Sequence, residues 1–451
     1  MPFTQRQVAD ATAILDPVLR LGAIYARVPG VAFGLSHDGA DVLLGASGLA
    51  DVERDEPVEA DSTRFRCASI TKSFTATLVM RLVERRRLRL DDSVNSILPW
   101  TRGSIDDHVS VRHLLTHSAG MIRDGSNAWD DRTMPNRATF QAEMRHAATF
   151  AEPSERFRYS NTAYSLLGEI VERAAGRSFE ASLTREIARP LELHNTFPDL
   201  TRAARVGLAT GYHAARPTEV RAAAAHVDAR AVAPAGGLVS TVPDLLAYQR
   251  AHLPENASLL SELSKREMQR TQWQREGEPH YGYGWMNWTI DGIKVVGHSG
   301  GYPGFITKIA FAPAEGVTAA VLTNAISPFA RDGIERIYHV LSQVRARWDE
   351  AEAITKWHTR GSLRRFVGLY RSHGYDVMVA RINGSLFVFD ASSPLPLSAP
   401  DRLVPMGPRR FLIADGDDFG NVGEELSFRI DRQGRVNAIV IGADVLERAV
   451  I

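Results

Sequence analysis

The sequence has a single cysteine, Cys67, in 451 residues, so no disulfide can form within the chain and the fold must rest on its core. Long apolar runs are also missing. No stretch is long enough to span a bilayer, and the start lacks a basic cap followed by an apolar run and a small-residue cleavage site. The expectation is a cytoplasmic protein without a membrane partner. Neither sign of charge prevails: 53 basic residues balance 53 acidic ones, which leaves no electrostatic case for a nucleic-acid partner. Lysine is scarce, occurring only at Lys72, Lys265, Lys294, Lys308 and Lys356, so each one merits inspection. Internal repeats and low-complexity tracts are absent as well.

What is present reads as a soluble protein in two domains, because a chain of this length outgrows one hydrophobic core. Residues 31–37 and 41–45, joined by Asp38-Gly39, form a hairpin pattern. From Ile70 to about Arg87, Phe74, Leu78, Val79, Leu82 and Val83 recur at helical spacing. Residues 111–116 and 161–175 also read as helices, the second stopping at Gly176. Strands are expected at 294–297, 306–312 and 317–323, then a helix over about 330–352. This order predicts an α/β (α+β) fold, an antiparallel sheet with helices against it rather than repeated βαβ units. After Arg360 about eight short alternating segments follow one another, separated by turns such as Asn383-Gly384, and predict a small antiparallel barrel or sandwich. The expected division is a first domain over 1–350, a linker over 351–360 and a β domain over 361–451.

Three short segments carry chemistry. Ser69-Ile70-Thr71-Lys72 opens a helix, where residues three apart share a face and the amine can reach the hydroxyl. A helix start also offers backbone N–H groups to a developing oxyanion. Lys72 must lose its proton to act as a base, which burial can bring about. The bland alternative is an exposed helix start with a solvated lysine. Tyr159-Ser160-Asn161 precedes another helix; its phenol can relay a proton, and its alternative is a plain N-cap. His298-Ser299-Gly300-Gly301 lies on a strand, where paired glycines let a ligand backbone come close. A structural histidine is the alternative there. Cys67, two residues before Ser69, is expected to be a small buried residue behind the site.

In their order these segments resemble the serine β-lactamase, D,D-peptidase and class C-like esterase superfamily. Its marks are Ser-x-x-Lys, Tyr-x-Asn and a Lys- or His-led Ser/Thr-Gly triplet. Further matches lie at Val111–Gly120, Gly236-Gly237-Leu238 with Ser240-Thr241, and Tyr281–Trp285, so the resemblance covers about residues 20–345. It implies a β-lactamase/transpeptidase-like sheet with a helical subdomain, and Ser69 as the acylated nucleophile. Lys72 and Tyr159 would share acid/base work, and Asn161 would position the substrate carbonyl. The N–H groups of Ser69 and Gly301 would form the oxyanion hole, with Ser299 and Gly300 beside the substrate. His298 stands where β-lactamases usually carry Lys, which argues against antibiotic hydrolysis. The C-terminal segment resembles the lipocalin-like barrel of D-amino-acid peptidases and of penicillin-binding-protein-type thioesterases that cyclise nonribosomal peptides. The implied substrate is a small peptide or ester, including a carrier-bound or thioester-activated peptide. Hydrolysis ranks ahead of aminolytic cyclisation, and a silent binding protein of the same fold is the third reading.

Two rival motifs fail on context. Gly297-His298-Ser299-Gly300-Gly301 fits the Gly-x-Ser-x-Gly elbow, but Tyr302-Pro303-Gly304 follows where that elbow needs a helix. His113 and His117 stand four apart like zinc ligands, yet Leu114 occupies the place of the metalloprotease glutamate. No metal and no cofactor are expected.

Overall fold

A computed structural model describes residues 2–125, 133–147, 149–199, 201–215, 220–277, 279–348, 363–416 and 422–450. The chain opens on helix α1 (Gln5–Tyr25), entered through a capping box in which the Thr4 hydroxyl accepts from the Gln7 N–H. The hairpin follows as β1 (Gly30–His37) and β2 (Ala40–Asp51), turning through Asp38 and Gly39 at positive φ. With β3 (Glu56–Pro57), β6 (His280–Tyr281), β7 (Met286–Ile290), β8 (Ile293–Tyr302), β9 (Phe305–Ala312) and β10 (Val317–Thr323) it makes one eight-stranded sheet. The spatial order is β3-β2-β1-β10-β9-β8-β7-β6, with antiparallel pairing throughout. A small second ladder pairs β4 (Phe65–Arg66) with β5 (Val239–Ser240).

Every residue of β1 and β10 is buried, so these two interior strands lack the polar face that gives an edge strand its alternation. A Cβ on Gly34 of β1 would lie 2.6 Å from Val242 and 3.0 Å from Leu246 side-chain carbons, so the glycine lets a helix over Val242–Arg250 lie close on the sheet. Between β4 and β5 in sequence run α2 (Thr71–Glu84), the short α3 (Val111–Leu115) and α4 (Asn161–Ala175). Phe74, Leu78, Val79, Leu114, Leu115, Leu166, Leu167 and Ile170 from these helices share one buried cluster.

Val28–Ile334 forms one compact unit, and Met1–Arg27 with Glu335–Ile451 forms the other. The second of these is discontinuous in sequence, whereas the sequence reading divides the chain once; its expected linker, 351–360, lies outside the described residues. In the second unit eight strands, β11 (Gly368–Arg371), β12 (Asp376–Ile382), β13 (Ser385–Asp390), β14 (Asp401–Pro405), β15 (Arg410–Asp415), β16 (Glu425–Ile430), β17 (Val436–Ile441) and β18 (Asp444–Ala449), close into a barrel. Pairing of β11 with β18 completes the ring and settles barrel over sandwich. Phe366, Tyr370, Phe411 and Phe428 pack together inside, with Phe366 and Phe428 stacked at 4.2 Å. Aliphatic side chains such as Val379, Leu386, Leu403, Ile413 and Ile439 fill the interior around these rings.

Candidate active site

Ser69 sits in a 3₁₀ turn, Ala68–Ile70, that leads directly into α2. Ala68 holds φ 49°, a left-handed conformation that a Cβ disfavours, and it tilts Ser69 out of the preceding strand. Lys72 follows one turn later and is fully buried. Its Nζ lies 3.1 Å from Ser69 Oγ, 2.7 Å from Asn161 Oδ1 and 2.6 Å from the Ala235 carbonyl. Two of these three partners are carbonyl oxygens, which only accept. A neutral amine donates its two N–H bonds to them and turns its lone pair to the Ser69 hydroxyl. Burial holds the Lys72 pKa well below the usual lysine range; Asp124 opposes the shift and Arg123 adds to it.

Tyr159 and Asn161 flank the cap of α4, where the Ser160 hydroxyl accepts from the Ala163 N–H at 3.0 Å. Capping and site geometry therefore coincide in one tripeptide. The Tyr159 hydroxyl lies beside Ser69, which eases its phenol down while burial pushes it up more strongly, and its ring lies 4.8 Å from Lys72 Nζ. The Asn161 amide is held at both ends: Oδ1 accepts from Lys72 and Nδ2 donates to Asp124 at 2.6 Å. One amide N–H remains for a substrate carbonyl.

His298 lies on β8 with Ser299, Gly300 and Gly301. Its Nδ1 donates to the Ser299 carbonyl at 2.6 Å, so Nε2 takes the hydroxyl of Tyr281 at 3.2 Å. Burial, helped by the Lys72 charge, brings its pKa down to about 3, leaving a neutral ring across ordinary pH. The two glycines do different things. A Cβ on Gly300 would come 2.1 Å from the Cys67 carbonyl and 2.6 Å from Thr307 Oγ1, so Gly300 lets β8 press against the Ser69 turn. A Cβ on Gly301 would meet only Ile306, at 3.4 Å, and this exposed residue faces the cleft. Cys67 is buried behind the turn, its thiol pKa pushed up by that burial.

These groups converge on a cavity of about 620 Å³ lined by Ser69, Tyr159, Asn161, His298, Ser299 and Gly301. Arg123, Phe157, Arg275 and Tyr281 line it too. Sequence reasoning missed Asp124, Arg123 and Arg275, which lie in loops without a local pattern. His113 and His117 serve different ends: His113 Nδ1 accepts from the Ser110 N–H, while His117 is buried beside Tyr159. Among the described residues no group of three or more His, Cys, Asp or Glu is placed to hold a metal, and no helix is long and apolar enough to cross a membrane.

The chain matches the Beta-lactamase family over residues 18–342, a span that holds every residue of this cleft. It is 30% identical over 316 residues to Penicillin-binding protein 4 of Amycolatopsis lactamdurans, covering 66% of this chain and 81% of that one. The solved octameric penicillin-binding protein homologue from Pyrococcus abyssi is similar over 96% of this chain and 98% of its own, at 24% identity and TM-score 0.64. A D-stereospecific amidohydrolase from Streptomyces sp. covers 72% of this chain and 98% of its own, at 25% identity and TM-score 0.62. The cleft and these likenesses agree: the chain belongs to the Beta-lactamase family and has the fold of its serine hydrolases.

Proposed function

We propose that this protein is a serine acyl-enzyme hydrolase acting on peptide amide or ester acyl groups that carry a D-configured residue. The observation that carries the reading is the environment of Lys72, whose two carbonyl partners leave one direction open, toward Ser69 Oγ. In acylation, Ser69 Oγ attacks the substrate carbonyl carbon as its proton passes to Lys72 Nζ. The oxyanion forms against the N–H groups of Ser69 and Gly301. Tyr159, placed beside Ser69, hands a proton to the departing amine or alcohol as the C–N or C–O bond breaks. Water then attacks the ester along the same path in reverse and frees the acid.

Likeness to the D-stereospecific amidohydrolase supports the D-configured acyl residue. His298, neutral and with both ring nitrogens engaged, supplies no charge for a substrate carboxylate. The described cleft lining contains Arg123 and Arg275 and no Asp or Glu. Arg123 is paired with Asp124, whereas the Arg275 guanidinium bonds the Pro279 carbonyl and lies over the Phe157 ring. Arg275 is thus the cleft cation suited to an acidic leaving group.

Intact-mass analysis with a fluorophosphonate tests the nucleophile. Wild type should gain one adduct and Ser69→Ala none, while Lys72→Ala should react far more slowly. An adduct that survives Ser69→Ala removes the assignment. The same base can activate an amine in place of water. A linear peptide thioester ending in a D-residue decides between them by product mass, acid supporting hydrolysis and a cyclic product the transferase reading.

A further inference from the structure

His117 takes no part in the chemistry above and does not line the cleft, yet the chain closes around it. It follows α3 at the position just past the C-cap, with φ 57°. The Ser118 N–H reaches the His113 carbonyl at 3.0 Å and the His117 N–H reaches the Leu114 carbonyl at 3.4 Å, the two bonds of a Schellman ending. Glycine fills this position most readily, because a side chain there carries a conformational cost. A histidine at this place implies that its side chain is needed.

Its bonds indicate what for. The His117 carbonyl accepts from the Arg158 N–H at 2.8 Å, and its Nδ1 accepts from the Ser160 N–H at 3.0 Å. One residue therefore grips the backbone on both sides of Tyr159. The His117 ring also lies 4.4 Å from the Tyr159 ring, with Tyr281 at 4.7 Å and Tyr164 at 5.0 Å. Because Nδ1 accepts, Nε2 bears the proton; it is buried among these rings with no hydrogen-bond partner among the described residues. Burial keeps the ring neutral, so this acceptor is available at every working pH.

We infer that His117 is a positioning residue that fixes the Tyr159 hydroxyl against Ser69 by holding the main chain of Arg158 and Ser160. The inference rests on the reading of Tyr159 as the proton carrier to the leaving group. It predicts a defect that depends on the leaving group, since a p-nitrophenolate departs without a proton and an alkoxide does not.

The test compares a p-nitrophenyl ester with a methyl ester of the same acyl group, in wild type, Tyr159→Phe and His117→Gly, Asn and Gln. Glycine keeps the left-handed ending and the carbonyl grip but removes the ring. Asparagine places Oδ1 near the position of Nδ1 and tolerates positive φ; glutamine does neither. In single-turnover kinetics, which isolate acylation from the deacylation step that the two esters share, His117→Gly should lose about tenfold or more in acylation rate on the methyl ester and little on the p-nitrophenyl ester. His117→Asn should recover most of the rate and His117→Gln little, with circular dichroism spectra unchanged. Equal loss on both esters, or no loss in His117→Gly while Tyr159→Phe is impaired, overturns the role of His117 alone. Full activity of Tyr159→Phe on the methyl ester overturns the reading of Tyr159 beneath it.

Discussion

Lys72 and Arg275 are both cations placed near one nucleophile, and their surroundings give them opposite tasks. Lys72 is enclosed, so its charged form lacks water and its amine is biased toward the neutral base. Arg275 is exposed at the cleft, where its guanidinium can meet a carboxylate. Arg275→Gln should therefore raise KM about tenfold for a D-alanyl ester whose leaving group ends in a free carboxylate. Its kcat should hold, and KM for the matching carboxamide should not move. Steady-state kinetics on the two esters measure this directly. A rise of the same size on both would make Arg275 a general packing residue instead of a selector of charge.

At the scale of elements, buried histidines tie the fold to pH. His117 ends α3, His252 follows α5 (Val242–Arg250), and His298 lies on β8; all three are buried with pKa values depressed by that burial. His252 and His298 are brought to about 3 from an ordinary 6.5. In that interval the unfolded chain binds protons that the folded chain refuses, so stability is full above about pH 6.5 and falls as the solution is acidified. Each such histidine contributes a slope of about 1.4 kcal/mol per pH unit. Glu186, lowered to about 2 by its arginine partners, adds to the loss only below its ordinary 4.5. Asp10 and Asp244, raised by burial, work against the loss. Urea unfolding at pH 7.5, 6.0 and 5.0 should show a steady decline before the carboxylates of Glu186 type begin to titrate. A flat profile down to pH 5.0 would mean that these rings stay hydrated.

That dependence on burial also explains what the sequence could convey. Short-range patterns were legible: the Asp38-Gly39 hairpin, α2, α4 with its Gly176 stop, and seven of the barrel strands as alternating runs. The eighth strand, β18 (Asp444–Ala449), buries only Leu446 and so carries no alternation to announce it. Helix α1 is not among the elements that the sequence pattern announces, and Pro17 lies inside it. Ser69 and Lys72 were legible because their spacing is helical. Asp124 was not, since it meets Asn161 across 37 residues of sequence. His117 fails as a metal ligand because Leu114 holds the place of the metalloprotease glutamate, and nothing in a linear spacing of four reveals its left-handed turn.

At the scale of the molecule, α1 and the barrel belong to one compact unit although most of the chain separates them in sequence. The Asp10 carboxylate accepts from the Asn383 N–H at 2.9 Å and pairs with Arg381 at 3.4 Å, while the Tyr25 hydroxyl donates to Asp376 at 2.8 Å. Burial outweighs the pairing, so the Asp10 pKa is raised even with Arg381 beside it. A carboxylate in that state depends on each partner it has. Arg381→Ala should lower the urea unfolding free energy by about 1–3 kcal/mol, because it leaves a buried acid short of a donor. Asp10→Asn should cost less, as its amide oxygen still takes the Asn383 N–H. A chain ending at Arg360 removes all of these partners at once and should melt at a lower temperature than the full protein. Both point variants should still take the fluorophosphonate at Ser69 at 25 °C, since no group in the catalytic cleft has changed. If Arg381→Ala and the truncated chain both unfold at the wild-type midpoint, α1 is stabilised independently of the barrel, and the bonds of Asp10 and Tyr25 contribute nothing measurable.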